Sequence, residues 1–485
     1  MKPAHAIALM LIPFLTVAGA VAATWFRKVR DAFFFLMVTL AVVAERMEVN
    51  FFSQAWYRGT TRGVQITLLE ILAFGLLVGC WLGRREEERR WFWPASFGVL
   101  LLYFGYAVVS VMVSEPKMFG AFELSKMLGA MLVFLASAAY VRCKREWTIL
   151  LVALGCAVGF EGVWAVKQHF ITRLDRVAGT LDHANSLSMY LCLTVPLLVA
   201  VAFAGWSRPL RWFCAVTAGL GTIGVLLTLS RAGIPVLAVV ILGTIVTCAS
   251  WQMTATRVAV RLVLVGCAFA LVAAIWPKIE ERYATATLEE EYFDPTVDGR
   301  GIYLRLASLI AGEHFFGVGL NNWSYHVSRT YGPRLGFRFM DYDYLVNTYG
   351  KEDGEVYANS YLAAPAHNLA ALTLGELGVP GLLLFALLWL RWFGMGAAFI
   401  GRPRAEPMRV MGVGLFFSVC GIFGQSLTEW VYRQTPILCT FYLLLGALAS
   451  LTALRRQPRR EERAVAVEPD EGPVVPSESV LVESV

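Results

Sequence analysis

Charge is what this chain has least of. Asp, Glu, Lys and Arg make up only 16% of its 485 residues, against 57% hydrophobic, and its mean hydropathy is +0.59. A soluble globular domain carries roughly a quarter charged residues, so the composition excludes that class. Cysteine is scarce where it would matter for an external staple. All nine cysteines (Cys80, Cys143, Cys156, Cys192, Cys214, Cys248, Cys267, Cys420 and Cys439) lie in or beside apolar runs, and none falls in the long polar segment 277–366. That placement excludes a disulfide framework there and leaves the thiols as small packing residues. Internal repeats are lacking, and so is low-complexity sequence before residue 455, which excludes a solenoid. The one Asp-x-Asp pattern, Asp341 to Asp343, sits in a tyrosine-rich stretch and reads as loop surface. We expect no metal and no cofactor.

What the chain has instead is long apolar runs. A helix needs about 20 apolar residues to cross a hydrocarbon core of about 30 Å. Backbone groups in lipid allow only helices or closed barrels, and these runs are too long for barrel strands. The sequence therefore predicts an all-α polytopic membrane protein with twelve or thirteen transmembrane helices. The predicted spans are 5–25, 32–44, 64–83, 95–113, 122–141, 147–166, 184–204, 212–229, 232–250, 257–276, 368–390, 408–425 and 436–454. The second is short. The first reads as a retained helix, because no small-residue cleavage site with a soluble domain behind it follows.

Lys and Arg beside a span resist translocation, so basic loops mark the cytoplasmic side. Arg84, Arg85, Arg89 and Arg90 share one loop; Arg142, Lys144 and Arg145 a second; Arg402, Arg404 and Arg409 a third; Arg455, Arg456, Arg459 and Arg460 open the tail. Counting helices from these puts 167–183, the Ser230-Arg231 turn and 277–366 on the extracytoplasmic side. The net charge of +6 is mostly this topological signal and carries no nucleic-acid meaning. The chain divides into N-terminal transmembrane helices (1–276), a large external loop (277–366), C-terminal transmembrane helices (367–454) and a tail (455–485). The tail mixes charge, Pro and Ser without periodicity, as disordered segments do. In the large loop "GIYLRLASLIAG" has helical periodicity and "FFGVGLNNW" is a turn.

Four external elements carry polar residues whose simplest roles are local. In "RVAGTLDHANSLSMYL" (176–191), Asp182 and Asn185 are placed to cap the helix beginning near Ala184, and His183 is an interfacial polar residue. In "TLSRAGIP" (228–235), Arg231 is placed to snorkel to headgroups, yet it lies on the side basic residues avoid. In "DGRGIYLRLASLIAGEHFFGVGLNNW" (298–323), Arg300 and Arg305 are placed to solvate a helix. In "PAHNLAALTLGELGVPG" (365–381), His367, Asn368 and Glu376 open a span, with Pro365 biasing the preceding residue away from helix.

Taken in order, these motifs resemble the O-antigen ligase and polymerase family, bacterial membrane glycosyltransferases that move glycans from an undecaprenyl pyrophosphate carrier. The resemblance covers about residues 170–430. Its most specific part is His, then Asn, Ser or Gln, nine residues, Gly, two residues, and Gly, Thr or Tyr, matched here by His367, Asn368, Gly378 and Gly381. It implies His367 as the catalytic residue and Arg231 and Arg300 as pyrophosphate ligands, with Arg305 an alternative to Arg300. Arg176, Asn185, Asn368 and Glu376 are possible supporting residues. "GTLDHAN" departs from the family's "GTFGNPN" by keeping Asn185 and lacking the proline. "EHFFGVG" has Phe315 where many relatives carry proline.

The residue chemistry agrees. Guanidinium groups hold phosphate oxygens bidentately and stay ionised, and a neutral imidazole can take a proton from an acceptor hydroxyl. The expected function is transfer of an undecaprenyl-pyrophosphate-linked glycan, with inversion, to an extracytoplasmic acceptor. The site would face the periplasm from a bacterial inner membrane. A lipid A core acceptor makes it an O-antigen ligase, the branch the histidine spacing favours. A second glycan makes it a polymerase, and a protein side chain an oligosaccharyltransferase. A non-enzymatic lipid-glycan transporter is the rival from another class; its charges belong at the membrane midplane. The partners expected are the lipid-linked glycan donor, the acceptor and the bilayer, with no nucleic acid.

Overall fold

The computed structural model describes residues 3–83, 93–249, 301–337, 339–340, 342–403 and 408–455, with a few positions between 266 and 284. Among the described residues nine helices come first: α1 (Pro3–Trp25), α2 (Arg27–Leu40), α3 (Leu68–Trp81), α4 (Phe97–Val113), α5 (Lys117–Tyr140), α6 (Lys144–Phe170), α7 (Ala184–Ala202), α8 (Arg208–Thr228) and α9 (Gly233–Cys248). The large loop holds α10 (Gly301–Glu313), a run of short turns over 323–334, α11 (Tyr342–Tyr349) and α12 (Lys351–Tyr361). The chain then runs back through α13 (Leu369–Ala397), α14 (Arg409–Ser426) and α15 (Thr435–Leu454). Among the described residues, seven helices are long and apolar enough to cross a membrane. The protein is an all-α, multi-pass membrane protein. The expected span 257–276 and the tail 456–485 lie outside the described residues.

The bundle is apolar on both sides of its helices. Inside, α15 is buried along nearly its whole length, packed on α5 and α7. Outside, Leu102, Met112, Val239, Leu242, Leu383 and Leu390 are each more than half exposed. An apolar exterior of that extent belongs against lipid tails.

The short second span resolves differently from the reading 32–44. Helix α2 begins at Arg27, and the chain leaves helix at Leu40 through a 3-10 turn, Ala41–Met47, into a hairpin of β1 (Glu48–Phe51) and β2 (Val64–Thr67). The strands pair antiparallel, Glu48 opposite Thr67 and Phe51 opposite Val64. Arg30 is tolerated in the bundle because its guanidinium donates to the carbonyls of Ala23 and Gly79 at 3.0 and 3.2 Å, groups a helix C-terminus leaves open. The expected span 64–83 opens as β2, and its helix starts where Thr67 and Glu70 form a capping box.

The segments placed outside the cytoplasm by charge meet at one end of the bundle. Arg46 donates to the Thr180 carbonyl, and Arg58 donates to those of Ser360 and Leu362 at 2.9 and 2.8 Å. Asn321 donates to Thr61 and Phe119 at 2.8 and 2.9 Å, and Asn368 to Leu427 at 3.0 Å. The loop core joins Leu306, Ile310, Trp323, Val327 and Tyr331 to Ala371 and Leu372 at the head of α13.

Helix α13 breaks in its third turn, and the sequence supplies the cause. Pro380 has no N–H, so the Glu376 carbonyl is released from the helical ladder and accepts from Gly319 at 2.8 Å instead. Val318 donates to Gly375 and Val379 donates to Phe315, both at 3.0 Å. The loop stretch 315–319 is thereby stitched into the break. Gly378 adopts φ +67°, ψ −168° there, and a Cβ on it would lie 2.1 Å from the Phe315 oxygen. Any other residue would carry about 1–3 kcal/mol of backbone strain on top of that clash. The motif glycine therefore serves loop docking.

Candidate active site

At the gathered end, the turn between α8 and α9, the head of α7 and the loop between α14 and α15 meet around a small, partly open polar cleft. Arg176, Asn185, Ser230, Arg231, Gln425 and Glu429 are among the residues that line it.

The cleft is joined to His367 by a chain of polar contacts. The Arg176 guanidinium donates to the Thr228 carbonyl at 3.1 Å and to Asn185 Oδ1 at 3.0 Å. The Asn185 amide donates from Nδ2 to Glu429 Oε1 at 2.8 Å, and the other carboxylate oxygen of Glu429 lies 2.7 Å from His367 Nδ1. Glu429 is 4% exposed, whereas the His367 side chain is 35% exposed. A buried carboxylate thus holds one imidazole nitrogen while the ring remains accessible. The ring of Tyr303, in the first turn of α10, stands 5.7 Å from that of His367.

Asn368 caps α13: its Oδ1 accepts from the Ala371 N–H at 2.9 Å while its Nδ2 holds Leu427. The helix begins at Leu369, two residues after His367, and the imidazole is held by Glu429. Asn185 does not cap α7, whose N-cap is His183 without a side-chain capping bond. Its amide is committed to Arg176 and Glu429 instead.

Glu376 is not among the cleft residues. It is 1% exposed and pairs with Arg433 at 2.6 Å. Arg433 also holds Glu123 of α5 at 3.0 Å, and the Lys126 ammonium donates to the Arg433 carbonyl. This buried network fixes the loop 427–434 that carries Glu429. Arg305 is exposed on α10. Arg300 lies outside the described residues, immediately before the helix that brings Tyr303 to His367. Arg231 and the supporting candidates Arg176 and Asn185 are brought together; Arg305 and Glu376 are not brought to them.

Glu429 and Arg433 were missed in the sequence. Their signal was an acid and a base four residues apart in a short loop between two apolar spans. Among the described residues no group of three or more His, Cys, Asp or Glu is placed to hold a metal ion.

Fold and cleft define a multi-pass helical membrane protein with a polar cleft at one end of the bundle, lined by Arg176, Arg231 and Glu429. Residues 215–386 match the family model described as O-antigen ligase, a family of glycosyltransferase-like enzymes, and the resemblance read from the motifs is upheld over that segment. The match includes Arg231 and His367 and stops short of Arg176, Asn185 and Glu429. Among curated proteins nothing matches. Three chains of solved structures do. One, from work described as "Structural coordination of polymerization and crosslinking by a peptidoglycan synthase complex", is 16% identical with a TM-score of 0.38, covering 76% of this chain and 100% of that one. That likeness is too loose to bear on function.

Proposed function

We propose that this protein transfers a glycan from an undecaprenyl-pyrophosphate carrier to an acceptor hydroxyl on the extracytoplasmic face of a bacterial inner membrane. The observation that carries the proposal is the His367–Glu429 pair, 2.7 Å apart, with Glu429 lining the same cleft as Arg176 and Arg231. The two guanidinium groups that line it are the side-chain type that holds phosphate oxygens bidentately.

In this reading Glu429 accepts from Nδ1–H of His367, which leaves Nε2 as the free base. Nε2 takes the proton of the acceptor hydroxyl as its oxygen attacks the anomeric carbon from the face opposite the carrier. The bond from that carbon to the pyrophosphate oxygen breaks, and its electron pair leaves with the lipid pyrophosphate. The anomeric centre is inverted. Arg231 and Arg176, joined by Arg300 as the resemblance implies, neutralise the charge gathering on the leaving group. Glu429 stabilises the imidazolium as it forms, in the manner of the carboxylate of a catalytic triad. The histidine spacing favours the ligase branch, with a lipid A core or other surface glycan as acceptor.

The test is transfer in proteoliposomes given a lipid-pyrophosphate-linked glycan and an acceptor. Arg231→Ala is expected to abolish transfer in a protein that still melts normally. Arg231→Lys rescues poorly, because an ammonium lacks the bidentate fork. Full transfer by Arg231→Ala removes the cleft from the mechanism.

A further inference from the structure

Beyond the cleft, the large loop carries a row of tyrosines that the chemistry above does not use. Helices α11 and α12 form a hairpin with two unlike faces. One is buried: Leu345, Ala358 and Leu362 pack together, with Trp56 of the β1–β2 connection and Met340 against them. The hairpin is rooted there by a stack of Trp56 on Tyr342, with centroids 3.7 Å apart, and by Arg58 on the Ser360 and Leu362 carbonyls. The other face is open. Tyr349, Tyr357 and Tyr361 are 47%, 39% and 46% exposed, and their rings follow one another at 4.7 and 6.1 Å.

Three exposed rings in sequence on a fixed scaffold cost apolar hydration with no folding benefit, and such patches mark binding surfaces. Their surroundings select the ligand. Glu352 and Asp353 are exposed in the first turn of α12. Helices that lie in a membrane interface carry Lys and Arg on their polar face, to meet anionic lipid; this one carries Glu352, Asp353 and Glu355 against the single base Lys351. Tyrosine faces beside carboxylates suit a polyhydroxylated ligand. Its C–H faces stack on the rings, and its hydroxyls donate to carboxylate and phenol oxygens. The row also leads to the cleft. His367 follows Tyr361 by six positions, a backbone reach of at most about 22 Å.

We propose that the Tyr349–Tyr357–Tyr361 face is a glycan-binding subsite that holds the sugar chain of the donor outside the catalytic cleft. The proposal rests on the glycosyl-transfer reading for its purpose, and it is tested apart from it. A Val356→Cys substitution, at a side chain 69% exposed beside Tyr357, carries an environment-sensitive dye in a His367→Ala background reconstituted in liposomes. The probe is lipid-free polysaccharide released by mild acid from the envelope of the source cells. A saturable change in dye emission is expected, with half-saturation raised about tenfold in Tyr349→Ala/Tyr357→Ala. Tyr349→Phe/Tyr357→Phe keeps the ring faces and stays close to the parent. In the otherwise unsubstituted enzyme the alanine pair raises KM for long-chain donor and leaves kcat and melting temperature unchanged.

No saturable response, or an unchanged half-saturation in the alanine pair, overturns the subsite. Quenching of the dye by doxyl-labelled lipids makes the face a membrane contact and overturns it as well. If His367→Ala proves competent in transfer while the tyrosines still govern binding, the catalytic reading falls and the subsite stands.

Discussion

Replacing Glu429 by Gln separates the two jobs its carboxylate does. The side chain keeps its shape, and it is 4% exposed, so the change is one of charge and hydrogen bonding. In the native site both oxygens accept, one from Asn185 Nδ2 at 2.8 Å and the other from His367 Nδ1 at 2.7 Å. Glutamine offers one acceptor and one donor. If its NH₂ faces His367, the proton on Nδ1 moves to Nε2 and the base is lost. If it faces Asn185, two amide donors confront one another in a buried place. A hydrogen bond to a charged group is worth about 1.5–3 kcal/mol, and at 1.36 kcal/mol per decade its loss slows transfer by about 10- to 100-fold. The tautomer change adds to that, toward the 10²–10⁴ that general-base catalysis typically supplies. The assay is initial transfer rate in proteoliposomes, with melting temperature as the control. Because Glu429 acts through His367, Glu429→Gln/His367→Ala should be no slower than His367→Ala alone. A double variant slower by the full product of the single effects refutes the pairing.

Arg433→Leu leaves Glu123 and Glu376 buried with no cation between them, a loss of about 3–5 kcal/mol for a broken buried pair. Thermal melting should drop sharply and recover in Arg433→Leu/Glu123→Gln/Glu376→Gln; an unchanged melt in the single variant refutes the network's role. For topology, a cysteine at Asp353, which is exposed, should react with a membrane-impermeant thiol reagent in cells with a permeabilised outer layer, and one at Ser477 should not. Gly354 is unsuitable for that purpose, since a Cβ there would meet the Val346 backbone at 2.7 Å. The opposite labelling pattern reverses every assignment of side.

The bundle was legible because each span is a local property: about 20 apolar residues announce themselves without reference to the rest of the chain. The boundary errors fell where side-chain chemistry overrides hydropathy, at Arg30 and at the Thr67 capping box. His367, Asn368, Gly378 and Gly381 were legible as a motif because they share one segment, although the work of Gly378 becomes clear only beside Phe315 and Gly317. Glu429 was not legible. Its partner lies 62 residues away in sequence, and the local signal, an acid four residues before a base, does not point to His367. Glu376 was read as a possible supporting residue of the site, yet its partner, Arg433, is 57 residues on. A sharper rule was available: charges such as Glu123 and Lys126 inside an apolar span require partners, and the loop before the last helix was the place to seek them.

His367→Ala and His367→Gln, measured for both donor binding and transfer in the same proteoliposomes, test the central claim most directly. The account predicts that both variants bind the lipid-linked donor as the native protein does and that both keep only a residual rate of transfer, because neither alanine nor glutamine can accept a proton at neutral pH. Near-normal transfer by His367→Gln would reduce the imidazole to a hydrogen-bonding group, and normal transfer by His367→Ala would contradict the account outright.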